Sequence, residues 1–186
     1  MIFDDPRTRS RPHTFDLRKN CPHQRDHPVT RPHNARVTRP RIRVAAYVIR
    51  LRAVPELLVF DHVGMPQAGT QIPAGGVRPG EEPEQAVLRE VLEETGLRTA
   101  SVVEQLVVED KPHPDTRRPR RTTYFHLRAP ATTPDTWTHT VGGAGEDTGL
   151  TFACRFLPLP LDHPLADAQD AWLGHINPQW TTSHRP

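Results

Sequence analysis

Between Gly75 and Leu97 the chain reads Gly-Gly-Val-Arg-Pro-Gly-Glu-Glu-Pro-Glu-Gln-Ala-Val-Leu-Arg-Glu-Val-Leu-Glu-Glu-Thr-Gly-Leu, and no other stretch limits the possible folds as strongly. Pro83 suits the first turn of a helix, where its missing N–H costs nothing and its fixed φ helps. Glu81, Glu82 and Glu84 place negative charge at the positive end of the helix dipole. No Gly or Pro interrupts the segment until Gly96, which suits the left-handed residue that ends a helix. Ala86, Val87, Leu88, Val91 and Leu92 supply an apolar flank. The spacing predicts a helix over Pro83–Thr95.

On that helix Glu90 and Glu94 are four residues apart, and Glu93 is three from Glu90, so all three project to one side. Clustered like charges are unfavourable unless something neutralises them. Carboxylate oxygens suit hard divalent cations, and Mg²⁺ is typically shared between carboxylates, waters and substrate phosphates. A solvated acidic helix face is the other reading of the same residues. Upstream, Gln71-Ile72-Pro73-Ala74-Gly75-Gly76 reads as a short strand entering a tight loop, and its glycines let a backbone approach a ligand closely.

The segment also fits one long pattern: Gly75, five residues, Glu81, seven residues, Arg89-Glu90-Val91, one residue, Glu93-Glu94, one residue, Gly96-Leu97. This pattern is the Nudix box, and in it the chain resembles the Nudix hydrolases, which cleave a nucleoside diphosphate linked to another group. The resemblance implies an α/β fold, a Nudix-like α/β/α sandwich around a central mixed β-sheet. It implies Mg²⁺ as cofactor, with Mn²⁺ able to substitute, held by Glu90, Glu93 and Glu94. Glu93 is then a third ligand or a water-orienting base, Arg89 and Glu81 support the geometry, and Gly75 and Gly76 bring the loop against the diphosphate. Members of the family often draw a further acidic group from a loop outside the box. Here Glu146, or its neighbour Asp147, in the glycine-rich segment Val141–Gly149 fills that role, with a plain solvent-exposed turn as the other reading. The implied partner is a small-molecule nucleoside diphosphate derivative: a nucleoside triphosphate, an oxidised nucleotide or an ADP-ribose-like compound. A homodimer is compatible with this, as is a catalytically silent module that senses a nucleotide without cleaving it. Loss of box glutamates would signal such a module, and none is lost here.

The rest of the sequence sets boundaries. Residues 1–40 hold nine Lys/Arg against four Asp/Glu, net +5, while residues 41–186 hold fifteen against eighteen, net −3. The overall +2 is therefore a basic tail on a mildly acidic domain, and no nucleic-acid polymer is expected as partner. With a whole-chain mean hydropathy of −0.63, that Pro/His/Arg-rich tail cannot bury enough apolar surface to offset its ordering, and it is expected to be disordered. Cys21, His23, His27 and His33 follow no metal-ligand spacing. Nothing is long or apolar enough to span a membrane, and the two cysteines give no disulfide framework, so a cytoplasmic location is expected.

From Arg41 the character changes. Ile42–Ile49 and Glu56–Phe60 read as strands around a turn at Ala53-Val54-Pro55, and Ala100–Val108, Thr122–Leu127 and Leu150–Leu157 as later strands. Lys111–Arg121 joins two of them, and its Arg117, Arg118, Arg120 and Arg121 make a basic tip that reads as a solvated hairpin end, with contact to a phosphate as the other reading. Pro164–Ile176 reads as a closing helix with Leu165, Trp172 and Leu173 inward. The expected domain spans 41–175, followed by a tail over 176–186.

Overall fold

The computed structural model describes residues 39–143 and 147–180. The expectations for residues 1–38 and for Glu146 therefore lie outside the described residues. Seven strands form one sheet: β1 (Arg41–Leu51), β2 (Pro55–His62), β3 (Ala74–Gly76), β4 (Ser101–Asp110), β5 (Arg120–Ala129), β6 (Thr136–Thr140) and β7 (Thr151–Pro158). Their order is β4-β5-β1-β2-β7-β6, with β3 paired to the first half of β1. β1 and β5 run parallel and the other pairs antiparallel, so the sheet is mixed as expected.

β1 is buried without a break from Val44 to Arg50, as a strand covered on both faces must be. Its alternate residues serve different layers. Val44, Ala46 and Val48 pack with Ala86, Val87 and Val91 of the helix α1 (Pro83–Thr95). Ala45, Tyr47 and Ile49 pack with Leu161, Leu165 and Leu173 from the C-terminal segment. Arg50 ends the run, fully buried but paired with Glu56 at 2.7 Å and Asp135 at 2.8 Å, with its guanidinium 3.9 Å above the Phe156 ring.

The helix α1 has the predicted bounds, and Gly96 ends it at φ 72° with its N–H on the Leu92 carbonyl. The opposite layer is not the expected helix. Pro164–Ile176 folds instead into 3₁₀ turns at Ala166–Ala168 and Leu173–His175, followed by a further turn at Pro178–Trp180. Asp167 and Ala168 adopt positive φ (53° and 54°), which breaks an α-helical run. The cause is tertiary: Asp167 is drawn to Lys111 and Arg120 at the base of the β4–β5 connection. Leu165 and Leu173 do face inward, and Trp172 is half-buried. Ile176 and Trp180 also pack against this core.

β6 has no counterpart in the sequence reading. The Trp137 indole N–H donates to the Thr95 carbonyl at 2.7 Å, and His139 Nε2 lies 3.1 Å from the Glu93 carbonyl. The strand thus braces the end of α1 that carries the carboxylates.

Candidate active site

Three elements position the carboxylates. α1 presents Glu90, Glu93 and Glu94; β3 supplies backbone; and the loop after β6 closes over the helix. Glu94 is buried, and its Oε2 accepts the Ala74 N–H at 2.9 Å. Glu90 lies on Gly75 so closely that a Cβ there would stand 2.0 Å from the Glu90 carboxyl carbon. That contact, rather than turn geometry, makes glycine necessary at 75.

Arg89 organises the cluster. Its Nε and one terminal nitrogen donate to the two oxygens of Glu81 at 2.6 and 2.8 Å, a bidentate pair of the strong, geometrically specific kind. The other terminal nitrogen donates to Glu90 at 2.6 Å and Glu93 at 3.2 Å, and the Gly76 carbonyl accepts a further bond at 2.8 Å. Arg78 holds the remaining Glu93 oxygen at 2.9 Å. The Arg89 hydrogen bonds bring the Glu81 carboxyl down to about 2, and the same bonds raise the Arg89 guanidinium above its ordinary value. Burial pushes Glu90 up and Glu94 well up, the latter only partly opposed by the Ala74 N–H.

The loop after β6 reaches the same place. The Gly142 N–H donates to the Glu93 carbonyl at 3.0 Å, and Gly143 lies against the Glu93 carboxylate. Asp147 lines a cavity of about 390 Å³ together with Gly75, Gly76, Glu90, Glu93 and Glu94. The structure thus brings together every expected site residue among the described ones. It also adds residues that were not anticipated: Arg41, Arg43, His62, Gln71, Arg78 and His113 line the same cavity. Arg39, Arg41 and Arg43 at every second position were a legible sign of one charged strand face.

The donor set fits a hard divalent cation. It is made of carboxylate oxygens, and the missing Cβ at Gly75 leaves Glu90 room beside the β3 backbone. Among the described residues no three acidic, His or Cys side chains already converge as a metal cluster. Arg89 and Arg78 hold Glu90 and Glu93, and Glu94 is turned onto Ala74.

Residues 41–169 match the family model described as NUDIX domain, and the chain belongs to that family. Solved structures share the fold. The NUDIX domain of Shewanella oneidensis NrtR, complexed with ADP ribose, is 18% identical over 77% of this chain and 90% of its own, with a TM-score of 0.54. A MutT NUDIX hydrolase from Burkholderia pseudomallei is 22% identical over 74% and 98%, with a TM-score of 0.51. A UDP-X diphosphatase is 16% identical over 74% of this chain, with a TM-score of 0.51, and the match spans 61% of that protein. No curated protein matches the chain. No helix among the described residues is long and apolar enough to cross a membrane.

Proposed function

We propose that the protein is a Mg²⁺-dependent hydrolase that cleaves the phosphoanhydride bond of a nucleoside diphosphate linked to another group, such as a nucleoside triphosphate, an oxidised one or an ADP-ribose-like compound. The observation that carries this reading is the shared cavity of Glu90, Glu93 and Glu94 beside the Gly75-Gly76 backbone, with all box glutamates retained.

Glu90, Glu93 and Glu94 would hold the metal, and Mn²⁺ could replace Mg²⁺. Bound there, the cation supplies positive charge to the phosphate oxygens and lowers the pKa of a water. The protein's own groups do the rest. Arg89, fixed by Glu81, sets the direction of the Glu90 and Glu93 carboxylates. Gly75 and Gly76 allow the diphosphate to approach the backbone. Glu93 orients the attacking water or takes its proton at a carboxylate oxygen, and Asp147 or Glu146 is the alternative base. Arg41, Arg43 and Arg78 face the same cavity and offset substrate charge. An interaction stronger in the transition state than in the ground state is what accelerates the step.

A panel of nucleoside triphosphates, dinucleotides and nucleotide sugars, assayed with Mg²⁺ by product chromatography, tests the reading. Turnover of at least one class is expected. Tight binding without turnover across the panel would instead support a nucleotide-sensing module. Asp147→Asn and Glu146→Gln then assign the base, since removing one typically costs about a hundredfold or more in rate. If both keep kcat near wild type, Glu93 carries the role.

A further inference from the structure

A second cavity, of about 700 Å³, adjoins the first and shares Arg41, Arg43 and His113 with it. Arg39, Arg41, Arg43, Arg117, Arg118 and Arg120 line it, and among the described residues no acidic one does. The loop expected to be a solvated basic tip therefore forms one wall of this basin. Only Arg121 of its arginines turns away, to an exposed pair with Asp110 at 2.7 Å.

The sheet builds this concentration of charge against local preference. The parallel register sets Arg41 directly opposite Arg120, and like charges so placed are destabilising. Arg120 is compensated by Asp167, behind the basin. Arg43 gives one hydrogen bond to the Ala74 carbonyl at 3.1 Å, while its buried Nε has no partner among the described residues. Burial, together with Arg120 and Arg41, lowers the Arg43 guanidinium from its ordinary value. Arg117 sits at φ 57°, a left-handed conformation that strains a side-chain-bearing residue. His113 Nδ1 accepts the Asp115 and Thr116 N–H groups at 3.2 and 3.3 Å, which ties the loop at the junction of the two cavities. Guanidinium groups match phosphate oxygens in paired hydrogen bonds, so the basin presents several such donors to a phosphate chain.

We propose that this arginine basin binds further phosphate groups of the substrate beyond the scissile diphosphate, so that the substrate class is polyphosphorylated and not a diphosphate joined to an uncharged sugar. The proposal rests on the hydrolase reading above for its reaction but not for its binding site.

Two experiments on the full chain separate the two. Calorimetric titration with inorganic tripolyphosphate, without metal, should show binding that weakens at least tenfold in Arg117→Gln/Arg118→Gln and with added salt. Both arginines are exposed, so the fold should survive, and circular dichroism checks it. Absence of binding, or equal binding by the variant, overturns the proposal. So does tighter binding of an oligoribonucleotide lacking a 5′-phosphate, which would assign the basin to a nucleic-acid backbone. With Mg²⁺, kcat/KM for a nucleoside tetraphosphate should exceed that for ADP-ribose at least tenfold, and the double variant should erase most of that ratio. Equal use of both substrates with no shift in the variant sinks the basin and leaves the hydrolase reading standing. Turnover of neither substrate sinks the hydrolase reading, and the tripolyphosphate titration still decides the basin.

Discussion

The two layers that cover the sheet are held in opposite ways. α1 is a regular helix, capped at both ends, whose buried residues include two carboxylates that no core requires. The C-terminal layer is a chain of 3₁₀ turns that buries Leu161, Leu165 and Leu173 and carries no expected site residue. Its polar ties are structural. The Tyr47 hydroxyl donates to the Gln169 carbonyl at 2.5 Å, and the Ile72 N–H donates to the Gln169 side chain at 2.9 Å. Covering a sheet face demands only apolar volume and satisfied backbone. Regular helical geometry is needed where carboxylates must keep a fixed spacing. The comparison therefore predicts that α1 variants lose activity more than stability, and that variants of the other layer do the reverse.

The largest effect should come from Glu94→Gln, which keeps the volume and an oxygen for the Ala74 N–H while removing the charge. Loss of an outer partner of a metal ligand typically costs about 10–100-fold, so loss of the ligand itself should cost at least about a hundredfold in kcat/KM. Glu90→Gln should behave alike. Near-normal turnover at sub-millimolar Mg²⁺ with either variant would break the assignment of this layer. Arg89→Lys should follow, at about 10–100-fold, because an ammonium cannot grip Glu81 bidentately while reaching Glu90 and Glu93. A melting temperature that collapses in step with activity would mean that Arg89 serves the fold and not the carboxylate geometry.

The contrast between the layers also explains what could be read in advance. The bounds of α1 were visible because Pro83, the glutamates of the first turn and Gly96 are local signals that all agree. The box carboxylates were visible because their spacing is local as well. The C-terminal segment was misread because Leu165, Trp172 and Leu173 suit a helix locally, whereas the positive φ at Asp167 answers to Lys111 and Arg120, 56 and 47 residues away. β6 was missed although Thr-Trp-Thr-His-Thr alternates as an edge strand should. The arginine basin needed the register of β1 against β5, which no spacing along the chain reveals.

In the C-terminal layer the largest loss should follow Leu173→Ala. Leu173 is fully buried, and such truncations typically cost about 2–5 kcal/mol depending on how far the cavity collapses. Urea unfolding measures the loss. At a temperature where the variant remains folded, kcat/KM should stay close to wild type. A catalytic defect comparable to that of Arg89→Lys would show that this layer, too, sets the site geometry.

The smallest effect concerns pH. Burial alone would raise the Asp167 carboxyl, but its hydrogen bonds from Lys111 and Arg120 outweigh burial and hold it below the ordinary 3.8. A carboxyl depressed in the folded state binds its proton more readily in the unfolded chain. Its stabilisation is therefore complete above the unfolded value and drains away as pH falls through the folded one. Other carboxyls titrate in the same range, Glu81 among them, so the signal lies in a difference between proteins. Urea midpoints of wild type and Asp167→Asn, compared from pH 6 down to pH 2.5, should be well separated at the upper end, with wild type more stable. The gap should narrow below about pH 4, as protonation gives the wild-type side chain the same neutral charge as the variant. A gap that stays constant to the acid end would mean that Asp167 holds the layer by shape and hydrogen-bond geometry, leaving the carboxylate charge of α1 without a structural counterpart across the sheet.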